Sequence, residues 1–190
     1  KIPADEIKMD FPDNPIPDQA RFIEGGFSTS AGYFRIISLY VPNGGEVNNQ
    51  VRRSELNWLH KDPDCAWVFD KLSHVASKLN ADHFGFDLTG FGEALQLTNY
   101  DESNQGTYIW HQDFGSSGVS RKLSMVLQLS DPHDYQGGEL QLLTRKEPTS
   151  IRKKRGLITV FPAWTLHQVT PVTRGTRQTL VAWISGPAFK

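Results

Sequence analysis

The chain has 190 residues, of which 38% are apolar and 22% are charged, and its formal net charge is −1. This length and composition predict a single globular domain over residues 1–190 with a substantial hydrophobic core. The near-zero net charge gives no electrostatic reason to expect a nucleic-acid partner or a membrane surface.

The cysteine content and the hydropathy pattern bear on the compartment. Cys65 is the single cysteine, which excludes an internal disulfide and favours a reducing, cytoplasmic compartment. No apolar run has the roughly 20 residues that cross a bilayer, and residues 1–11 lack the basic and apolar regions of a signal peptide. We therefore expect a cytoplasmic protein with no membrane partner.

The N-terminal part, residues 1–81, is predicted to be a loop-rich and helical support. Residues 1–45 are rich in Pro, Gly and Asp and contain one plausible strand, Phe34–Val41. Between Asp64 and Leu79 the apolar residues recur at helical spacing. This spacing predicts an amphipathic helix with one buried face.

Residues 82–190 are predicted to form a β core, which makes the protein mainly β with packing α-helices. Short apolar or alternating runs separated by turn residues are typical of a β-sandwich or barrel. The candidate strands are Ala94–Asn99, Thr107–Gln112, Lys122–Leu129, Gly138–Leu143, Leu157–Phe161, Leu166–Val172 and Gln178–Ile184. Turns are predicted at Asp131–Pro132, Gln136–Gly138 and Arg174–Gly175. Alternation within Lys122–Leu129 predicts a half-buried strand.

Three residues of this β core have the chemistry of a metal site. His111 and Asp113 end a predicted strand, and residues two apart in an extended chain project to the same face. His167 lies on a later strand. Two imidazoles and one carboxylate form the facial triad of non-haem iron(II) oxygenases, which leaves coordination positions open for a chelating 2-oxo acid and for oxygen.

Arg177 adds a site for a second carboxylate. It follows the predicted Arg174–Gly175 turn, on a strand expected to pair antiparallel with the strand of His167. A guanidinium in that place can bind the distal carboxylate of a dicarboxylate while the opposite end chelates the metal. The sequence therefore predicts a metal and a dicarboxylate in one site.

These segments resemble a known family. His111-x-Asp113, the stretch Asp134–Leu140 and the stretch His167–Arg177 are similar to motifs of the prolyl 4-hydroxylase-type 2-oxoglutarate and iron(II) dioxygenases, including their bacterial PKHD-type relatives. The resemblance covers approximately Gly85–Pro187, with a weaker match at Val51–Leu59. It implies a double-stranded β-helix, or jelly-roll, core with packing helices.

The resemblance also implies roles for single residues. It assigns iron(II) to the three ligands named above and the distal carboxylate of 2-oxoglutarate to Arg177. It places Tyr100 beside 2-oxoglutarate, although this chain has one extra residue between Tyr100 and His111. Where some relatives have a tyrosine against the distal carboxylate, this chain offers Gln128.

A further group of residues is expected on the substrate side. By the resemblance, Arg52, Ser54 and Trp58 border the mouth of the active site, Arg121 opens the strand after the metal loop, and Trp183 lines the pocket floor. The alternative is that the arginines belong to a solvated basic surface and the two tryptophans to the core.

The function implied by the resemblance is hydroxylation of a prolyl residue in a peptide or protein. Its cofactors would be Fe(II), 2-oxoglutarate as cosubstrate and O2, with ascorbate as a further candidate. The same scaffold also carries this chemistry on other amino acids and small molecules. Two non-catalytic alternatives are a zinc-binding β-barrel module and a scaffold for a proline-rich partner; Arg177 argues against the first, and intact metal ligands against the second.

Overall fold

A computed structural model of the chain describes residues 50–113 and 120–188, together with the backbone of three N-terminal strands. Those strands, β1 (Ile7–Met9), β2 (Ile23–Thr29) and β3 (Gly32–Ser38), form an antiparallel sheet in that order. β3 overlaps the predicted strand Phe34–Val41, whose last three residues lie outside the described part. Strands β1 and β2 were not predicted. In β2 the two adjacent glycines weaken the strand signal.

The regular structure of the described residues is mainly β-strand, with one α-helix packed on the outside. In chain order the elements are β4 (Arg52–Arg53), β5 (Glu55–Leu59), α1 (Ala66–Leu79), β6 (Gly90–Phe91), β7 (Leu95–Asp101), β8 (Thr107–His111), β9 (Arg121–Gln128), β10 (Tyr135–Gly137), β11 (Leu140–Leu142), β12 (Thr149–Ser150), β13 (Ile158–Pro162), β14 (His167–Val169) and β15 (Val172–Ser185). Every strand predicted after residue 82 is present, with shifted ends.

Strands β4 to β15 form two antiparallel sheets whose inner faces carry the site. The larger sheet has the order β13-β9-β15-β7-β5, and β10 and β6 also pair with β15; the smaller has the order β12-β11-β14-β8-β4. This is the double-stranded β-helix arrangement that was predicted, and the fold class is confirmed.

Helix α1 covers the outer face of the larger sheet. The Asp62 carboxylate accepts hydrogen bonds from the backbone N–H groups of Asp64 and Cys65, both at 2.9 Å, and so organises the entry to the helix. The buried face of the helix, which includes Phe69 and Leu72, packs in one apolar cluster with the outward side chains of β9 and β15. None of the helices in the described ranges is long and apolar enough to cross a membrane.

Strand β9 is buried on both faces, whereas its alternating pattern predicted burial of one. Leu123, Met125 and Leu127 pack in the apolar cluster with α1. The other face, with Ser124 and Val126, points between the two sheets and is also buried. The small polar side chain of Ser124 lies on this inner face, which lines the candidate site.

Strand β15 corrects the prediction for Arg177. The expected turn at Arg174–Gly175 is part of this 14-residue strand, which pairs with β7 and β9 and not with β14. Gly175 has φ +69°, and a Cβ there would lie 2.0 Å from the carbonyl oxygen of Asp134. The glycine therefore permits the close approach of β10 and does not end the strand.

Candidate active site

The strand pairing brings the three candidate metal ligands together. His111 ends β8 and lies opposite His167 on β14. Asp113 follows two residues later, and its backbone N–H donates to the carbonyl of Ala163 at 2.8 Å. Asp113 Oδ1 is 3.7 Å from His111 Nε2, and its Oδ2 is 3.4 Å from His167 Nε2. One ligand atom from each residue falls within 4.8 Å of the others, so a single ion can contact all three.

Both imidazoles are oriented by the backbone two residues earlier. His111 Nδ1 donates to the carbonyl of Ile109 at 2.7 Å, and His167 Nδ1 donates to the carbonyl of Thr165 at 2.8 Å. With the proton on Nδ1, each Nε2 presents a lone pair to the space beside Asp113. This is the tautomer that a metal ion requires.

The protonation states also suit a cation. Burial raises the pKa of Asp113, but the hydrogen bond and charge of His167 outweigh it, and the Ser124 hydroxyl, 2.7 Å from Oδ2, adds to the lowering. The net effect is a pKa of Asp113 below its ordinary value. Burial first, and His167 second, lower the pKa of His111 to about 4. Near neutral pH the site therefore offers neutral His111 and an ionised carboxylate, and a donor set of two imidazoles and one carboxylate fits iron(II).

The three ligands open onto a cavity of about 290 Å³ that also contains Arg177. Alternate residues of β15, from Arg177 through Thr179 and Val181 to Trp183, line one wall. The aliphatic part of the lining consists of Val126, Leu140, Val169 and Val181. The cavity is thus polar at its two functional ends and apolar between them.

Arg177 is a buried cation. Its residue exposure is 3%, and within residues 50–113 and 120–188 no carboxylate forms an ion pair with it. Its guanidinium carbon lies 5.4 Å from the ring centre of Tyr100, the residue opposite it on β7. Burial lowers the pKa of Arg177, and the phenols of Tyr100 and Tyr135 partly offset this. Because an uncompensated buried charge is costly, the guanidinium is suited to an anionic ligand.

The two further cosubstrate candidates lie in different places. Tyr100 lines the cavity, as expected. Gln128 does not; it lies behind Arg177 and its amide donates to the Tyr135 hydroxyl at 3.0 Å. Tyr135, which the sequence analysis named only within Asp134–Leu140, is therefore a second tyrosine next to Arg177, besides Tyr100.

Four of the five substrate-side candidates line the cavity: Arg52, Trp58, Arg121 and Trp183. Ser54 lies beside it and accepts a hydrogen bond from Arg52 Nε at 2.7 Å. Trp58 is 40% exposed, so it is not the core residue of the alternative interpretation. Trp183 is buried.

The two arginines at the mouth, Arg52 and Arg121, differ in whether a carboxylate neutralises their charge. Arg121 binds the Glu93 carboxylate through Nε at 2.5 Å and Nη2 at 2.6 Å, and lies 3.7 Å above the Trp183 ring. Arg52 contacts neutral groups: besides Ser54, its Nη2 donates to Gln96 Oε1 at 2.8 Å, and its guanidinium lies over Tyr108 at 4.7 Å. In the described part of the chain Arg52 has no ion pair, so it remains a charged group at the mouth.

Sequence reasoning missed Ser124, Tyr108 and Glu93. Ser124 could have been found, because it lies on the polar face of a strand that the alternation predicted. Tyr108 was inside a quoted segment, and its ring stacks on His111 with the ring centres 3.4 Å apart. The pairing of Glu93 with Arg121 joins residues 28 apart in the chain and leaves no local signal.

Comparisons with known proteins agree with this geometry. Residues 95–185 match the family model of the 2OG-Fe(II) oxygenase superfamily. A PKHD-type hydroxylase of Prochlorococcus marinus is 41% identical over 87 residues, covering 45% of this chain and 39% of that protein. A PKHD-type hydroxylase of Hyphomonas neptunium is 40% identical over 70 residues, covering 37% and 31%. The matches thus span less than half the length of these two relatives.

Solved structures agree in fold. A Pseudomonas putida prolyl-4-hydroxylase superposes with a TM-score of 0.62 at 21% identity, over 76% of this chain and 78% of that one. A Trichoplax adhaerens prolyl hydroxylase, solved with a peptide fragment of the hypoxia inducible factor oxygen degradation domain, gives 0.63 at 19% identity, over 74% and 66%. At these identities the likeness concerns the fold.

Proposed function

We propose, from the match of residues 95–185 to the family model of the 2OG-Fe(II) oxygenase superfamily, that the chain is an Fe(II)- and 2-oxoglutarate-dependent dioxygenase. Its substrate in this proposal is a prolyl residue in a peptide or protein. The observation that carries the proposal is the cavity that holds the His111, Asp113 and His167 cluster together with Arg177, whose guanidinium has no ion pair among the described residues. A zinc-binding module gives no reason to bury that guanidinium, whereas a dicarboxylate cosubstrate does.

In this proposal one end of the cavity binds the metal and the other binds the distal carboxylate of the cosubstrate. The two Nε2 atoms and the Asp113 carboxylate would hold iron(II), and Arg177 would bind the distal carboxylate of 2-oxoglutarate. Bound iron(II) and 2-oxoglutarate supply the oxidation: one atom of O2 enters the substrate C–H bond and the other enters succinate, with release of CO2.

The chain itself contributes orientation, charge and exclusion of water. The carbonyls of Ile109 and Thr165 hold the imidazoles in the tautomer that binds metal, and Ser124 holds the carboxylate. The apolar walls formed by Val126 and Val181 limit the access of water to the reacting centre.

Prolyl hydroxylation is the activity named for the two solved structures of similar fold, and the mouth of the cavity supports it as the proposal for this chain. The rings of Trp58 and Trp183 lie there with their centres 6.2 Å apart. Aromatic faces of this kind can pack against an apolar pyrrolidine ring. A proline-containing peptide is therefore our first choice of substrate, and ascorbate stays a candidate reductant for the iron.

A second candidate is the same chemistry on a different amino acid or on a small molecule. The observation that favours it is Arg52, whose charge has no acidic partner in the described residues and could bind a substrate carboxylate. A free amino acid or a short acid would supply such a group.

The test is oxygen-dependent formation of succinate from 2-oxoglutarate by the purified protein with iron(II). We expect turnover with proline-containing peptides, a product heavier by one oxygen atom, and loss of both with Arg177→Ala. Free proline and other carboxylate-bearing amino acids in the same assay distinguish the second candidate. An enzyme that binds zinc tightly and consumes no 2-oxoglutarate with any of these substrates contradicts both candidates.

A further inference from the structure

We propose that Tyr135 is the positioning residue for Arg177, and that this pair determines the preference for a 2-oxo acid with a second carboxylate. The inference rests on the proposed function, because it concerns the end of the cavity that would bind 2-oxoglutarate. It begins from a feature that the proposed function leaves unexplained: a buried hydrogen-bond network behind the Arg177 side chain.

Arg177 separates two spaces. On one side is the metal-containing cavity, and on the other is a small crevice lined by Gln128, Tyr135, Gly138 and Lys153. Tyr135 belongs to the crevice and not to the lining of the main cavity. It can therefore act on the bound dicarboxylate through Arg177.

The Tyr135 hydroxyl lies between two donor side chains, those of Gln128 and Arg177. The Gln128 amide donates to it at 3.0 Å. The Arg177 guanidinium lies beside it in the same crevice, and its charge and hydrogen bonding lower the pKa of the phenol. Burial raises the pKa of Tyr135, so the phenol is neutral and the interaction is that of an uncharged acceptor. A neutral acceptor fixes the guanidinium without cancelling the charge that the cosubstrate needs.

The rest of the crevice limits the freedom of the same two side chains. A Cβ on Gly138 would lie 2.9 Å from Arg177 Cδ and 3.4 Å from Tyr135 Cε2, so the backbone at this position contacts both residues closely. Lys153 Nζ donates to the carbonyl of Gly137 at 2.5 Å and lies 4.8 Å from the centre of the Tyr135 ring. The backbone at Gly138 and the ammonium group of Lys153 thus hold Tyr135 against Arg177.

The arrangement matters because no carboxylate of the described residues forms an ion pair that would fix the position of Arg177. A long flexible side chain that must be ordered on binding loses affinity through side-chain entropy. A guanidinium that is already oriented avoids much of this loss. Tyr135→Phe keeps the ring and its packing and removes the acceptor, so it should weaken binding of the distal carboxylate alone.

The experiment is anaerobic calorimetric titration of the iron(II)-loaded protein with 2-oxoglutarate and with 2-oxobutyrate, which lacks the distal carboxylate. For Tyr135→Phe we expect the Kd for 2-oxoglutarate to rise by about tenfold and the Kd for 2-oxobutyrate to stay within about twofold of wild type. Combined with Arg177→Gln, the tyrosine substitution should have no further effect, because its role acts through Arg177.

Lys153→Met gives a second route to the same network, with exposed Lys154→Met as the matched control. The first should weaken 2-oxoglutarate binding by about twofold to threefold, and the second should leave it unchanged. Equal weakening of both 2-oxo acids by Tyr135→Phe, or unchanged binding of 2-oxoglutarate, would overturn the inference while leaving the proposed function in place. A wild-type protein that bound neither acid would overturn both.

Discussion

His167 lies directly opposite His111 in the pairing of β14 with β8, and the two imidazole ring centres are 4.0 Å apart. Because successive residues of a strand point to opposite faces, a shift of one residue in this pairing would turn His167 away from the cavity. The metal cluster therefore depends on strand register as much as on the identity of its three residues.

Removal of one imidazole should abolish metal binding. For His167→Ala we expect loss of stoichiometric iron(II), because two remaining ligands hold the ion far less tightly than three. Metal content after anaerobic loading and desalting measures this. His133→Ala, at an exposed histidine outside the cavity, should retain the full iron content; equal metal content in both variants would show that the cluster does not bind the ion.

Loss of the Ser124 hydroxyl should weaken the same site without removing a ligand. Ser124→Ala leaves Asp113 Oδ2 without its 2.7 Å donor, and loss of such a supporting hydrogen bond typically costs about tenfold in metal affinity. Competition with a fluorescent chelator gives the Kd for iron(II). Ser103→Ala, on the exposed turn after β7, should match wild type.

The pH dependence of the metal-free protein should follow His111. Its pKa is about 4 in the folded protein, against an ordinary value of 6.5. Between these values the unfolded chain binds a proton that the folded protein does not, so the free energy of unfolding rises with pH across this window. Going from pH 7 to pH 4 should lower it by roughly 3 kcal/mol.

Urea unfolding at a series of pH values measures that loss. His111→Gln should flatten the dependence between pH 4 and pH 6.5, and His133→Gln should preserve it. A wild-type protein whose stability did not change over this interval would contradict the assignment to His111.

Arg52 should act on the substrate and leave the cosubstrate unaffected. Arg52→Gln removes the charge at the mouth, so we expect the KM for the peptide or acid substrate to rise by about fivefold or more and the KM for 2-oxoglutarate to stay constant. The neighbouring Arg53→Gln is the matched control, since Arg53 donates to the carbonyl of Gln105 and does not line the cavity. A change confined to the KM for 2-oxoglutarate would instead place Arg52 at the cosubstrate.

The parts of the fold and site that the sequence predicted were those with a local pattern. Alternation in β9 and the helical spacing of α1 identified both elements, and the separation of His111 and Asp113 by one residue placed them together. Strand pairing was predicted less well. A glycine with positive φ, such as Gly175, occurs both in turns and within irregular strands, so its presence in the sequence does not distinguish the two. The contacts that join distant segments, such as Arg121 with Glu93, had no signal in one sequence.

The continuity of β15 sets a fixed length in the site. Arg177 and Trp183 are six residues apart on one unbroken strand, both face the cavity, and their Cα atoms are about 20 Å apart along it. The strand thus fixes the spacing of Arg177 and Trp183 along one wall of the cavity. Substitutions between these two positions can change the shape of the pocket. An insertion or deletion of one residue would change the distance between Arg177 and Trp183 and would turn one of the two side chains away from the cavity. Variants of this protein should therefore differ there by substitution and not by length.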